Sequence, residues 1–142
     1  MWYNDRKCNN NVFWEILSQG DLVLVNRTTG ETLVSSVRLC NTFWTRLRGL
    51  MFRSALRPDE AYLFCYDRES IAETSIHMFF VSFSISVLWL DAEYRVVDKV
   101  LAKPWRPYYA SEKPAQFFVE GLPALLEKVQ VGDVLQIEES VR

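Results

Sequence analysis

The sequence predicts an α+β domain: a small antiparallel-rich, curved or barrel-like β-sheet with two short helices packed at its side. Three observations carry this. Short apolar runs rich in β-branched and aromatic residues are separated by turn chemistry, which is the pattern of strands. They do not alternate with long helical patterns, so a doubly wound parallel sheet is not expected. The chain has 142 residues, 49% hydrophobic and 14% aromatic, enough for one domain with a sizeable core. Residues 1–20 read as a partly ordered extension, 21–138 as the domain and 139–142 as a polar tail.

The start of the chain is polar and Asn-rich, and Val12–Leu17 is a short apolar patch that fits either a helical turn or a strand. Leu22–Asn26 and Thr32–Leu39 read as strands joined by Arg27-Thr28-Thr29-Gly30, a hairpin-turn composition in which Gly30 supplies positive φ. Alternation places Leu33, Ser35, Val37 and Leu39 on one face of the second strand and Val34, Ser36 and Arg38 on the other. Asn41 or Thr42 then caps a helix over Phe43–Phe52, with Phe43, Leu47, Leu50 and Met51 on one face and Arg53 at its carbonyl end. Arg57-Pro58-Asp59-Glu60 is a turn, Ala61–Tyr66 a strand with Cys65 as a buried thiol, and Asp67–Ser70 a charged loop.

The most apolar run, Ser75–Asp91, holds the only histidine, His77. Its four serines and acidic flanks oppose a membrane span. Two strands are expected, Thr74–Val81 and Ile85–Leu90, the second apolar on both faces and therefore buried on both sides. Ser86 would be a hydroxyl among leucines. Arg95–Leu101 pairs with the second strand as a hairpin. Lys103–Pro114, with Pro104, Pro107 and Pro114, is an extended aromatic loop. Ala115–Glu120 is a strand broken by Gly121. Pro123 starts a short helix whose apolar face is Leu122, Leu125, Leu126 and Val129. Val134–Ile137 closes the sheet.

A net charge of −2 provides no general attraction to nucleic acid, and Arg46, Arg48 and Arg53 are the one candidate basic patch. Cys8, Cys40 and Cys65 form no Cys-x-x-Cys pair, so neither a disulfide framework nor a metal site is expected. The sequence contains no Gly-rich phosphate loop, Gly-x-Ser-x-Gly or His-Glu-x-x-His motif, and no cofactor is expected. The N-terminal MWYNDRKCNNN lacks a signal-peptide core, which makes a cytoplasmic protein without a membrane partner the expectation.

Arg46-Leu47-Arg48-Gly49-Leu50-Met51-Phe52-Arg53, Ser75-Ile76-His77-x-Phe79-Phe80 and Phe118-Val119-Glu120, taken in this order, resemble one uncharacterised family, the domain of unknown function 192. Thr42-Phe43-Trp44-x-Arg46-Leu47-Arg48-Gly49-Leu50-Met51-Phe52-Arg53 resembles its Arg-x-x-Gly-Leu-Met-hydrophobic-Arg helix. Ser75-Ile76-His77-x-Phe79-Phe80, Phe83-x-Ile85 and Leu88-Trp89-Leu90-Asp91 resemble its central strand pair. Pro104-Trp105-Arg106, Phe118-Val119-Glu120 and Val131-Gly132-Asp133 match later signposts, and the order fits from about residue 21 to 138. Two departures stand out. Many members have Trp-Met-Lys-Asn-Thr at 77–81, and members usually have Pro-hydrophobic-Asp where this chain has Ser84-Ile85-Ser86. The resemblance implies a β-rich α+β domain with helices at its side and no established activity.

The functional expectation is a binding module for an unknown small molecule. Its pocket is lined by His77, Ser75, Ser86, Glu120 and Trp105, with Arg46 or Arg53 near the mouth, because polar groups embedded in apolar strands mark such pockets. Taken singly, His77 reads first as a core histidine held by one hydrogen bond, and the arginines first as a solvated face. One alternative is a small-molecule hydrolase or lyase with His77 as base and Glu120 or an arginine assisting. Another is a protein-interaction surface on Trp105, Tyr108 and Tyr109.

Overall fold

The computed structural model describes residues 21–40 and 49–140. The elements are β1 (Leu22–Asn26), β2 (Glu31–Cys40), β3 (Glu60–Ser70), β4 (Ile85–Leu90), β5 (Val96–Ala102), β6 (Ala115–Gly121), α1 (Leu125–Lys128) and β7 (Leu135–Glu139). They form one seven-stranded sheet in the order β5-β4-β6-β3-β2-β1-β7. Every pairing is antiparallel except β2 with β3.

The sheet curls until its two edges touch at one end. Val96 donates its N–H to Asp133 O at 2.8 Å, Gly132 to Val96 O at 2.8 Å, and Leu135 to Tyr94 O at 2.9 Å. Away from that contact, α1 bridges toward β5, where Lys99 Nζ donates to the carbonyls of Leu126 and Val129 at 2.8 Å each. Such bonds satisfy carbonyls that a helix end leaves open. Only this single-turn helix is seen among the described residues, against the two expected. The expected helix over 43–52 lies outside the described residues up to 48, and 49–52 form a turn.

Curling gives the sheet two apolar faces with separate cores. All seven strands feed the first, through residues such as Leu24, Val37, Leu63, Leu90, Val96, Val119 and Ile137, with Leu125 and Val129 closing it. A core shared by every strand of a curled sheet is its inside. The second lies on the outer face, where Tyr62, Phe64, Ile85, Val87, Trp89 and Phe118 are roofed by Leu50, Leu56, Ile76, Met78 and Val81. β4 is buried at all six positions, as its doubly apolar pattern predicts.

Four expectations are corrected. In β2, burial falls at Val34, Val37 and Cys40, not on alternate residues. The reason is bulging against β1, where Leu22 pairs with Val37 but Leu24 with Val34, so an extra residue resets the face. Asp67–Ser70 continues β3 instead of forming a loop, because Ser70 pairs with Ala115 beyond another irregularity. Thr74–Val81 is not a strand. Thr74 Oγ1 and Ser75 Oγ donate to the carbonyls of Ser70 and Ala72 at 2.6 and 2.7 Å, competing with a ladder. The segment is instead laced to the aromatic loop by Met78 N–H to Arg106 O (2.8 Å) and Trp105 N–H to Met78 O (3.0 Å). Finally, Cys65 is disulfide-bonded and not an inert thiol, while Cys40 is free and buried; residue spacing alone does not reveal which thiols meet in space.

Candidate functional site

Glu120 is the centre of the site. It sits on β6 between β3 and β4, opposite Tyr62 on one side and Val87 on the other. Both neighbours belong to the outer core, so its side chain faces outward from the curl, beneath the loop roof. It is 7% exposed, and no hydrogen bond to its carboxyl is found among the described residues. Burial raises its pKa to about 8, so the acid is mostly protonated at neutral pH. Cys40 lies near it: burial, and then the potential of Glu120, push that thiol up to about 12.

Above Glu120 is a small cavity of about 80 Å³. Phe64, Tyr66 and Phe118 line its sheet side, the turn Gly49–Met51 and Val81 its roof, and Ser75, Ile76 and His77 its edge. Phe64 and Phe118 stack with centroids 4.4 Å apart, and Tyr66 lies 6.0 Å from Phe118. Main-chain bonding holds the roof, with Phe52 N–H donating to Phe80 O at 2.9 Å. Trp89 Nε1 anchors the edge from below by donating to Thr74 O at 2.8 Å.

The structure brings together three of the expected site residues: Ser75, His77 and Glu120. His77 is exposed and not a core residue. Its Nδ1 accepts the N–H of Phe79 at 3.2 Å, which assigns the ring proton to Nε2. Ser75 Oγ donates to Ala72 O and retains acceptor capacity.

The remaining expectations separate from this group. Ser86 is on the opposite face of the sheet, since strand alternation groups it with Leu88 and Leu90. There it faces Gly121, where an added Cβ would meet Ser86 Oγ at 3.4 Å and Leu125 Cδ2 at 3.0 Å, and its own hydroxyl has no partner. Arg53 does not line the cavity. It donates to both oxygens of Glu60 at 2.9 and 3.2 Å and to the Tyr62 hydroxyl. Trp105 does not line the cavity. It is 53% exposed, with its ring edge 5.3 Å from Phe80, which in turn stacks on Phe52 at 4.8 Å. Arg46 lies outside the described residues.

Sequence reading missed the aromatic lining and the roof. Tyr62, Phe64 and Tyr66 alternate along β3, so a period-two count would have placed them on one face. Phe52 and Phe80 carried no such signal. Both, with Trp105, adopt positive φ (65°, 61° and 63°), a backbone state rare for bulky side chains. Among the described residues, no group of three or more His, Cys, Asp or Glu could hold a metal ion, and no helix is long and apolar enough to cross a membrane.

Fold and site together define a small curled-sheet domain with a loop-roofed cleft on its outer face. The chain belongs to the domain of unknown function 192 family, described as an uncharacterised ACR, whose model matches residues 24–137. It is 39% identical to a UPF0127 protein of Thermococcus kodakarensis over 115 residues, covering 80% of this chain and 71% of that one. Against a UPF0127 protein of Pyrococcus furiosus it is 35% identical, covering 80% and 96%. The fold is similar to that of a Sinorhizobium meliloti protein put forward as a transcription regulator, with TM-score 0.68, 19% identity and coverage of 83% and 91%. It is similar also to a Novosphingobium aromaticivorans protein of unknown function, with TM-score 0.66, 16% identity and 82% of each chain. At these identities the two structures bear on fold alone.

Proposed function

We propose that this domain is a binding module that takes a small polar group into the cleft over Glu120. The observation that carries this is a nearly buried carboxyl without a hydrogen-bond partner among the described residues, facing a cavity edged by Ser75 and His77. Leaving such a group unpaired costs on the order of 1–3 kcal/mol, and a ligand would supply the missing partner. The cavity is about 80 Å³, well below the roughly 300–1,000 Å³ of sites that swallow a drug-sized molecule. The ligand therefore inserts one end, and the remainder lies over the rim.

The hydrolase or lyase alternative shares His77 and Glu120 in this lining, but no hydrogen bond joins His77 to an acid or an arginine among the described residues, its Nδ1 accepting the Phe79 N–H. The protein-contact alternative has one observation in its favour. Phe52, Phe80 and Trp105 form an exposed aromatic surface beside the cleft, the first of these 71% exposed.

The test is a thermal-shift screen of small polar compounds on the wild type, Glu120→Gln and His77→Ala. A ligand at about 100 times its Kd stabilises the native state by about 2.7 kcal/mol. The wild type should show such a shift, Glu120→Gln should lose it, and His77→Ala should weaken it while unfolding normally in the absence of ligand. A screen in which Glu120→Gln responds exactly as the wild type does removes the proposal.

A further inference from the structure

We infer that the group entering this cleft is an organic cation, a primary or methylated ammonium on a short apolar stem. The inference rests on the binding reading above and names its ligand class. Four observations converge on it.

First, the only charged or chargeable acid in the lining is Glu120, and no lysine or arginine lines the cavity among the described residues. Of the arginines described near the roof, Arg53 pairs with Glu60 at 2.9 Å, and Arg106, bonded through its carbonyl to Met78, is exposed and does not line the cavity. A carboxyl without a cation of its own is matched by one from outside.

Second, three aromatic side chains share the cavity with that carboxyl: Phe64, Tyr66 and Phe118. Aromatic faces attract ammonium groups, by about 0.5–2 kcal/mol per contact depending on desolvation. They offer little to a carboxylate or a phosphate.

Third, the site lacks the ligands for a metal ion. Hard cations take six or more oxygens and zinc four nitrogen or sulfur donors, whereas the described residues provide no cluster of even three metal-ligating side chains. An organic cation needs one counter-charge and apolar walls, and this lining offers a carboxyl that can ionise beside aromatic rings.

Fourth, the cavity accepts a group of only a few heavy atoms at about 80 Å³. An ammonium with a short stem meets that limit. Ser75 Oγ and the carboxylate would accept the N–H bonds of a primary ammonium, the aromatic faces would hold a methylated one, and the exposed ring of His77 at the edge would flank the stem.

Cation binding and neutral hydrogen bonding make opposite demands on the proton of Glu120. Among the described residues, the titratable groups around it are Cys40 from β2, Tyr62 and Tyr66 from β3 and His77 from the edge loop. An ammonium requires the carboxylate, so binding must expel the proton. A neutral amide or alcohol is satisfied by the protonated acid.

The test is a titration of the full chain, by amide chemical-shift perturbation, with n-propylammonium, tetramethylammonium, propionamide and propionate at several pH values between 6 and 8. Propylammonium or tetramethylammonium should perturb the amides of Ser75–His77 and Glu120. Its affinity should rise about tenfold per pH unit up to about 8, and Glu120→Gln, whose spectrum reports its folding, should weaken it by at least about tenfold. Propionamide binding with an affinity that falls as pH rises would overturn the cation assignment and leave the binding module standing. Silence from all four probes at every pH would remove both. The pH slope in the wild type keeps the test decisive even if Glu120→Gln folds poorly.

Discussion

Two buried glutamates, Glu60 on β3 and Glu120 on β6, stand on either side of Tyr62 and have opposite surroundings. Glu60 has a side chain only 1% exposed, and every approach to it is occupied. Arg53 binds it through two nitrogens, Arg38 Nε lies 3.3 Å away, and the Arg57 N–H donates at 3.2 Å. Glu120 has burial of the same order and none of these partners. The first carboxylate fastens the turn at 49–53 to the start of β3 and is structural. The second is left open toward a cavity. Burial alone does not mark a functional acid; burial with its hydrogen-bonding capacity unspent does.

The sharpest way to break this comparison is Glu60→Ala. It strands Arg53 and removes the knot that holds the roof of the cleft. Loss of one partner from a buried ion pair costs about 3–5 kcal/mol, so the urea midpoint should fall steeply. A loss of under about 1 kcal/mol would show that Glu60 is no more structural than Glu120.

Next in size is the pH dependence set by Glu120. Its folded pKa, about 8, lies above the usual carboxylate value, so the native state holds a proton that the unfolded chain releases. The contribution is fully present below about pH 4 and is lost progressively as pH rises toward about 8. Glu120→Gln should flatten that slope and stabilise the protein at pH 8 by on the order of a few kcal/mol, read from urea unfolding across pH. A slope unchanged in the variant would assign the proton elsewhere.

The smallest effect is expected at Ser86. Its hydroxyl is buried without a partner on the inner face, so Ser86→Ala should gain roughly 1 kcal/mol and leave ligand binding untouched. A change in binding would return Ser86 to the site.

Much of the sheet was legible because strand signals are local. Leu22–Asn26 and Ile85–Leu90 were read at the bounds observed, and the second was read as apolar and buried on both faces, as it is. The site was legible only in part. Ser75, His77 and Glu120 were singled out as polar groups in apolar segments, and the fold brings them to one cavity. Ser86 was grouped with them because sequence proximity conceals which face of a sheet a residue occupies relative to a distant strand. Arg53 was read as free to serve a pocket mouth because its partner, Glu60, lay inside what looked like an ordinary turn.

By itself, then, the sequence determined which segments extend, which positions are apolar on both faces, and which few polar side chains needed an explanation. Those follow from periodicity and residue chemistry, which act over a few neighbouring positions. Only the tertiary structure decided that the sheet curls into two cores, that Thr74–Val81 becomes an edge loop, and that one buried glutamate is saturated while the other is not. Partners for a buried charge come from residues remote in sequence, and where those residues land depends on bulges, a parallel crossover and edge closure that no local pattern encodes.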